Sequence, residues 1–383
     1  MASQQWIFKY GAGSTVFTTD VLSFSGRCGR QNPMDNYAGG YFNITIKNNS
    51  NQVANFPRGT KVTIYFTGTT FAWSGKVSQI DYFDYPGNTG LSTATITCLD
   101  SISQAGKYVL KQFAYMTDYS ILQAVQPNAL IYPNGPQIVG TVNGDSYCSG
   151  TAAIYNSTLL NRINALCNTE RGLLFAGETN VNFYARSQIT SLNSVSLVRD
   201  TGSTARLTYT NFRRIAQGDN FMNQVSVESD YTNADSGNTT IQQYTNTDSQ
   251  TTYGTSGYVV NALNYYAVDA LNEAAWLANT QGDPTTFRFE VDFSDVSSNA
   301  TAFQSFLSNY LNSQKPLTIL EWKAQGQSTE LDYVIIEGLS FSGTPDRTDV
   351  TVYLSPFEYY NCFILNSSTN GQLAYNRLGW ATA

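Results

Sequence analysis

The chain is 383 residues long, and at roughly 150 residues per domain this length predicts two or three domains. Charged residues make up 13%, about half of the roughly 25% that is usual, whereas aromatic residues reach 14%. Histidine is absent, which excludes Ser–His–Asp and Cys–His catalysis, a His-ligated metal and proton transfer by imidazole. The net charge of −7 argues against a surface that neutralises nucleic-acid phosphates.

The first hundred residues have the pattern of short β-strands. Apolar and polar residues alternate over Phe42–Lys47, Val62–Phe66 and Ala94–Cys98, and Trp73–Tyr82 is a further extended stretch. Glycine and proline separate these stretches, for example at Pro57–Gly59. This spacing predicts a small barrel or sandwich.

The period changes in the middle of the chain, where helices are expected. Asp118 can cap a short helix ending at Val125, and Thr158–Cys167 places its apolar residues on one helical face. Two strands, Leu173–Phe175 and Val181–Tyr184, follow with a turn-like segment between them. The pattern predicts a small α+β module.

Strands return near residue 207, and two further helices are expected after them. Val225–Glu228 reads as a strand, and the polar stretch 230–257 is expected to hold exposed hairpins or loops. An apolar stripe predicts a long helix over Val260–Asn279, ended by the Gly-Asp-Pro that follows. A shorter helix is expected over Phe303–Leu311.

The end of the chain repeats an early pattern weakly. Tyr333–Phe341, with a glycine inside it, and Val350–Leu354 resemble Trp73–Tyr82 and Thr93–Leu99. The two hairpins are alike either by accident or by duplication, and a duplication would give two similar barrels in one chain.

The five cysteines are widely spaced, without a CxxC pair, which favours free thiols buried as small apolar groups; they are Cys28, Cys98, Cys148, Cys167 and Cys362. The beginning of the chain lacks a charged start followed by an apolar run, so no secretory signal is expected. No run of about 18 apolar residues occurs, so no membrane span is expected.

Two carboxylate pairs are candidates for acid–base chemistry. Asp81 and Asp84 lie near a strand end, and Glu290 and Asp292 share one face of a predicted strand. With 28 acidic residues such pairs arise by chance, and a solvated charged face is the favoured interpretation. Asp230, Asn233 and Asp235 suggest a calcium loop, but the ligand at position 12 would be Ile241, so that match fails.

Paired aromatic and basic residues are the remaining candidates for binding. The aromatic pairs could stack on sugars or bases, although core and subunit contacts are the favoured interpretation; they are Tyr65-Phe66, Tyr82-Phe83, Tyr265-Tyr266 and Tyr359-Tyr360. Arg213-Arg214 lies on a predicted strand, so the two side chains point to opposite faces and form a poor phosphate clamp. We therefore expect no catalytic, cofactor-binding or metal-binding residues and no enzymatic activity.

A series of weak motifs in a fixed order resembles the minor tail proteins of tailed phages. The opening motifs are Phe24–Arg27, Tyr37–Asn48, Pro57–Gly59, Phe71–Val77 and Thr95–Asp100. The later motifs are Gly172–Phe175, Phe183–Arg186, Asn223–Val227, Gly282–Pro284, Leu354–Pro356 and Phe363–Asn366. The last of these departs from the family pattern, because Asn366 stands where the family has an Asp.

This resemblance to the baseplate or tail-tip hub family implies a mainly β fold with α+β insertions. Two related small β-barrels and smaller accessory modules are implied. The domains are then a first barrel at 1–110, an α+β domain at 111–203, a second barrel with inserted helices at 204–355, and a C-terminal segment at 356–383 that packs on the hub.

The family resemblance also implies a function in the virion. A homotrimer of such chains would present six barrels and match a six-fold tail tube to a three-fold tip. Its partners would be a distal tail or tube protein above and a fibre or spike protein below, with assembly in the host cytoplasm. Three chains at −7 would have a net charge of −21, so we expect an acidic channel through which DNA slides without specific binding.

Two other functions remain as alternatives. A distal tail ring protein of the same tail would also be rich in β-structure but would form a six-fold ring. A secreted carbohydrate-binding protein or glycosidase would use the exposed aromatic residues and, if enzymatic, a carboxylate pair.

Overall fold

A computed structural model describes residues 5–12, 14–85, 87, 89–107, 109–110, 137–140, 157–178, 180–184, 189, 192–199, 205–218, 221–229, 241–262, 264, 267–285, 287–323 and 329–360. The predicted helix Asp118–Val125 and most of the segment 356–383 lie outside these residues. Within the described residues the expected mainly β fold with α+β insertions is confirmed.

Seven strands form the first half of a 14-stranded sheet; they are β1 Trp6–Tyr10, β2 Thr15–Val16, β3 Val21–Gly29, β4 Tyr41–Lys47, β5 Lys61–Phe66, β6 Thr70–Phe83 and β7 Thr93–Leu99. Their order in the sheet is β2-β1-β5-β6-β7-β4-β3, and every neighbouring pair is antiparallel. The early strands expected from the sequence are therefore confirmed.

Alternating burial explains why these residues form strands. In β4, Phe42, Ile44 and Ile46 are fully buried, whereas the polar residues between them are half-buried on the other face. Each such side chain contributes about 1.5–3 kcal/mol through burial. The ring of Trp6 in β1 lies 5.6 Å from that of Phe24 in β3, so an aromatic contact joins the two ends of this half.

A small α+β module follows the first half; its elements are α1 Ser101–Ala105, β8 Val109–Leu110, β9 Gln137–Gly140, β10 Ser157–Thr158, α2 Leu159–Glu170, β11 Leu173–Ala176 and β12 Asn180–Tyr184. Thr158 caps α2, since its hydroxyl accepts a hydrogen bond from the Asn161 amide. Strands β11, β12 and β9 form a three-stranded sheet. The predicted helix and the predicted pair of strands are confirmed.

The second half of the large sheet contains a further module, inserted between its third and fourth strands. The elements in chain order are β13 Ser196–Val198, β14 Arg206–Thr208, β15 Asn211–Ala216, β16 Gln224–Ser229, β17 Ile241–Thr245, α3 Thr247–Tyr253, β18 Gly257–Ala262, α4 Ala267–Thr280, β19 Phe287–Phe293, α5 Ala300–Leu307, β20 Leu317–Lys323, β21 Thr329–Gly343 and β22 Thr348–Pro356. Short 3₁₀ segments occur at Thr18–Asp20, Gln52–Asn55, Thr89–Leu91, Val296–Asn299 and Phe357–Tyr359, and a π-helical turn at Ser308–Asn312 continues α5.

The two halves have the same topology. The second half is ordered β14-β13-β20-β21-β22-β19-β15, so its seven strands take the places of β2-β1-β5-β6-β7-β4-β3 in both chain order and sheet order. Hairpins β6–β7 and β21–β22, which resemble each other in sequence, occupy equivalent places. One difference is that β13 is parallel to its neighbours whereas β1 is antiparallel to its own. Among the described residues, no ladder closes either set by joining β2 to β3 or β14 to β15.

An equivalent β-bulge marks the two central hairpins. The register of β6 against β7 shifts between Val77 and Gln79, and that of β21 against β22 shifts between Ile336 and Gly338. Ser78 and Glu337 are therefore equivalent residues. Gly75 and Gly338, which looked alike in the sequence, lie on opposite sides of their bulges.

Strands β3 and β21 join the two halves. They pair antiparallel from Phe24 opposite Gly343 to Gly29 opposite Gly338. Gly29 has φ +75°, and a Cβ atom there would lie 2.2 Å from the Glu337 carbonyl oxygen, so the close approach requires glycine. One apolar core runs through the joint, where the rings of Phe42 and Phe341 are 5.6 Å apart.

The inserted module has its own core and corrects two predictions. Strand β18 occupies 257–262, so the helix predicted from Val260 begins at Ala267. Val260 and Ala262 are buried whereas Val259 and Asn261 are exposed, which is the period of a strand. In the polar stretch 230–257, β17 pairs antiparallel with β16 as the expected hairpin, but the helix α3 was not expected. Asn246 caps α3 by accepting a hydrogen bond from the Ser249 amide. The helix predicted over Phe303–Leu311 begins earlier, at Ala300, and its last turn is π-helical.

The two halves differ in the connection between their third and fourth strands. The connection from β3 to β4 is a short loop, Arg30–Gly40, whereas the equivalent connection from β15 to β19 holds the inserted module.

In the described part of the chain, no helix is both long and apolar enough to cross a membrane.

Candidate functional site

Residues Arg30–Gly40, called here the junction loop, contact both halves and both modules. The Arg30 side chain is buried, and its Nε donates a hydrogen bond to Glu337 Oε2 at 2.8 Å. Its Nη2 donates to the Tyr360 hydroxyl at 2.5 Å. Glu337 Oε1 in turn accepts hydrogen bonds from the hydroxyls of Tyr360 and Ser355. Strands β3, β21 and β22 and the segment after β22 thus meet at one buried ion pair.

The charge of Arg30 is strongly held. Burial lowers the pKa of Arg30, but Tyr360, Tyr37 and Glu337 outweigh that effect and raise the pKa well above its usual value. Burial raises the pKa of the Tyr360 hydroxyl, so this group stays a neutral hydrogen-bond donor. The guanidinium also lies 4.7 Å from the centre of the Tyr37 ring.

A second buried ion pair joins the two modules. Arg171, which follows α2 with φ 50°, donates from Nη2 to Glu273 Oε1 at 2.8 Å. Asn264 Nδ2 donates to Glu273 Oε2 at 2.8 Å, so both carboxylate oxygens are satisfied. Burial lowers the pKa of Arg171, and Glu273 opposes that shift.

The junction loop bridges these two ion pairs. Asn164 of α2 contacts Tyr37 twice, accepting from its amide at 2.9 Å and donating to its carbonyl at 3.0 Å. The Tyr258 hydroxyl of β18 donates to the Met34 carbonyl at 3.2 Å. Because each part of the molecule is bonded to the same loop, the loop acts as a structural joint.

The predicted carboxylate pairs do not face each other across a cleft. Asp81 and Asp84 are exposed, and Asp81 Oδ1 accepts a hydrogen bond from Gln79 at 2.8 Å. Glu290 and Asp292 share one face as predicted, and Arg213 Nη2 lies 2.8 Å and 3.7 Å from their carboxylate oxygens. The second pair is an ion-pair ladder, which leaves no free carboxylate facing another.

The two neighbouring arginines point to opposite faces, as predicted. Arg213 contacts Glu290 and Asp292 on one face. On the other, the Arg214 guanidinium lies 4.2 Å from the centre of the Phe287 ring and 5.1 Å from that of Trp322.

The aromatic pairs divide between core and surface. Phe66 and both residues of Tyr359-Tyr360 are buried, and Tyr65 is half-buried beneath Lys9. Tyr82 and Phe83 are 58% and 65% exposed and lie at the end of β6. Tyr265-Tyr266 lies outside the described residues.

The remaining candidates concern thiols and metals. Cys28, Cys98 and Cys167 are free and buried, and burial raises the pKa of Cys28 to about 12. Cys148, Cys362 and the calcium-loop candidates Asp230, Asn233 and Asp235 lie outside the described residues. Among the residues that are described, no group of three or more acidic or cysteine side chains could hold a metal.

Comparison with known proteins identifies the fold. No protein-family model matches the sequence, and no curated protein is detectably similar to it. A tail protein from Neisseria meningitidis MC58 matches 93% of this chain and 98% of its own, with a TM-score of 0.62 and 10% identity. The chain has the fold of phage tail proteins.

Two prophage proteins support the same fold. The 43 kDa tail protein of prophage MuSo2 from Shewanella oneidensis matches 93% of this chain and 100% of its own, with a TM-score of 0.60 and 12% identity. Prophage tail protein gp18 from Listeria monocytogenes EGD-e matches 91% of this chain and 94% of its own, with a TM-score of 0.50 and 9% identity. The resemblance expected from the ordered motifs is confirmed at the level of the fold.

The residues of the two buried ion pairs are not among the candidates that the sequence motifs provide. A usable signal was present, because Glu337 interrupts an apolar run from Val334 to Leu339 and Glu273 lies in an alanine-rich helix. A charged residue at a position that the pattern assigns to the core requires a buried partner.

Proposed function

We propose that this chain is a structural protein of a phage tail and forms the hub of the tail tip. The observation that carries the proposal is the likeness to tail proteins along nearly the whole length of both chains. At 10–12% identity the fold is retained while the side chains have changed, as expected for a protein that acts by its shape. The proposal includes that the chain is not an enzyme.

The repeated topology supports a role in symmetry adaptation. Each chain offers two equivalent sets of seven strands, so three chains offer six. A homotrimer would then present a near six-fold ring to a distal tail or tube protein and a three-fold end to a fibre or spike protein. With −7 per chain, its channel would be acidic and pass DNA without binding it specifically.

The buried ion pairs at the junction loop also suit this role. A hub must keep its parts in fixed positions while it contacts several partners. Arg30–Glu337 fixes the two halves of the large sheet to each other, and Arg171–Glu273 fixes the two modules to each other, with directional, charge-assisted hydrogen bonds.

The copy number tests the proposal directly. Native mass spectrometry of the full chain is expected to give three copies of 42.2 kDa, about 127 kDa. A six-copy ring of about 253 kDa would favour the distal tail ring instead. Labelling of the chain in intact particles should mark the tail tip; glycan binding with no incorporation into particles would favour the carbohydrate-binding alternative.

A further inference from the structure

Among the described strands, none pairs with one edge of β6 where its aromatic residues are exposed. Strand β5 pairs with β6 as far as Lys76, and the Val77 amide still bonds to the Thr60 carbonyl. From Ser78 onward, no strand among the described residues occupies this edge, although β7 continues to pair on the other edge as far as Phe83. An open edge with exposed aromatic side chains is a template for another strand.

In the second half of the chain the equivalent edge is filled. Aligning the two bulges places residues 79–84, the end of β6 and the residue after it, on residues 338–343 of β21. In β21 that segment pairs with β3, which comes from the other half. The pairing partner missing from β6 is therefore the counterpart of β3.

The counterpart of β3 is β15, and it also has an open edge. Strand β15 pairs with β19 on one side, and no other described strand pairs with it. Phe24 of β3 pairs with Ile44, which pairs with Ile96. In the second half, Phe212 of β15 pairs with Val291, which pairs with Val352. Because the strands correspond in this order, Phe24 and Phe212 are equivalent residues. The open edges of β6 and β15 are thus equivalent to the two edges that pair in the β3–β21 joint within one chain.

We propose that β15 of one copy pairs antiparallel with residues 79–84, the end of β6 and the residue after it, in a second copy, repeating the β3–β21 joint between chains. This inference rests on the proposed assembly of several copies. The register follows from that of β3–β21, where Ser25 lies opposite Ser342 and Gly26 opposite Phe341. Arg213 is then opposite Phe83, and Arg214 is opposite Tyr82.

The side chains on the two edges are complementary. The edge at residues 79–84 carries Asp81 and Asp84 with two exposed aromatic rings, and the β15 edge carries both members of the arginine pair. Each arginine is directly opposite an aromatic ring and diagonal to one of the two carboxylates, and cation–π contacts and opposite charges in these places are stabilising.

The core side of the contact is complementary as well. Tyr82 takes the place of Phe341, whose ring packs 5.6 Å from that of Phe42. The counterpart of Phe42 is Phe289, which lies 6.2 Å from the Trp322 ring beside Arg214. In the assembly, Tyr82 of one copy would cover this aromatic cluster of the next.

The contact joins different surfaces of successive copies, so it closes into a ring or continues as a filament. Because the contact between chains repeats the contact between the two halves of one chain, first and second halves alternate around the ring, and the same rotation relates each half to the next. The partner is therefore a second copy of the chain, held by backbone hydrogen bonds in a defined register.

Disulfide trapping tests the register. The double variant Phe83→Cys/Arg213→Cys is made in the full chain with Cys148 and Cys362 replaced by serine, and the protein is oxidised at high concentration. Directly opposed residues place their Cα atoms about 4.5–5.5 Å apart, which a disulfide spans. We expect covalent oligomers up to the size of the closed ring, because each chain contributes one cysteine to each of two contacts.

Matched variants exclude random cross-linking. Gln79→Cys/Arg213→Cys shifts one cysteine along the same edge by four residues and should give at least tenfold less cross-linked product at equal oxidation time. Phe83→Cys alone can give no species larger than a dimer. Equal cross-linking of the shifted and aligned pairs overturns the proposed register.

Charge placement gives a second readout that does not depend on cysteine. Tyr82→Arg places an arginine opposite Arg214 and should reduce the assembly to single chains of 42.2 kDa, whereas Tyr85→Arg, beyond the paired segment, should leave the mass unchanged. A trimer that survives Tyr82→Arg and forms no aligned disulfide overturns the edge contact but leaves the hub proposal standing. A wild-type chain that stays monomeric and is absent from particles overturns both.

Discussion

Glu337→Gln tests the buried ion pair at the junction of the two halves. The substitution keeps the size of the side chain but removes the charge opposite Arg30 and leaves one acceptor oxygen in place of two. Glu337 accepts hydrogen bonds from Arg30, Ser355 and Tyr360. In the variant, the side-chain NH2 group takes the place of one acceptor oxygen, so it faces a hydrogen-bond donor and cannot accept its hydrogen bond. Arg30 keeps its charge in the variant, because a guanidinium group stays protonated in proteins.

The expected cost follows from the burial of both partners. Their side chains are 7% and 0% exposed, so solvent cannot replace the lost carboxylate. Breaking such a pair by removing one partner costs about 3–5 kcal/mol of the free energy of unfolding. Glu178→Gln is the matched control: its pair with Lys61 has the same 2.8 Å separation but is 47% and 32% exposed, and its loss should cost less than about 1 kcal/mol.

Urea denaturation followed by tryptophan fluorescence measures both variants. The shift in midpoint at constant slope gives the difference in free energy. If Glu337→Gln costs no more than Glu178→Gln, the reasoning from burial and hydrogen bonding is refuted.

Three further outcomes are expected. Burial raises the pKa of Asp100 to about 6, so this carboxyl group binds its proton more tightly in the folded state. The stability of the wild type relative to Asp100→Asn should therefore fall by on the order of 3 kcal/mol as the pH rises from about 4 to 6, and stay level above pH 6. A stability difference that does not change with pH in urea titrations contradicts this. Phe66→Ala should cost about 3–5 kcal/mol by the same assay and Phe83→Ala less than about 0.5 kcal/mol, and similar losses would show that one burial assignment is wrong. Gly29→Ala should destabilise the chain far more than Gly59→Ala. Both glycines have positive φ, but a Cβ atom at Gly29 meets the Glu337 carbonyl whereas one at Gly59 meets nothing within 4 Å. Thermal unfolding compares the two variants, and equal shifts in Tm would mean that strands β3 and β21 move apart at little cost.

Most of the β-structure could be predicted from the sequence because its burial alternates. Phe42–Lys47 and Ala94–Cys98 carry that period, and both are central strands. The helix start at Ala267 was missed because the apolar residues of β18 continue the stripe of α4, so a period-two segment merges with a period-3.6 one. Local patterns cannot separate two elements that pack on the same core.

The candidate site was predicted less well, for a different reason. Arg30 and Glu337 are 307 residues apart, so the apolar run around Glu337 signals a buried charge but does not identify its partner. Arg213-Arg214 and Asp81 were visible as unusual residues, but their relation depends on the equivalence of two strand sets, which requires the pairing order. Contacts of this range depend on topology, and local sequence does not encode topology.

The inserted module between β15 and β19 has a consequence for periodicity. Its counterpart in the first half is the junction loop, so the strands occur twice in each chain whereas the module occurs once. In the proposed ring, any surface built from the strands alone would offer twice as many repeats as any surface built from the module. A single gene product can therefore present two different rotational periods to its neighbours, and the length of one loop sets the difference.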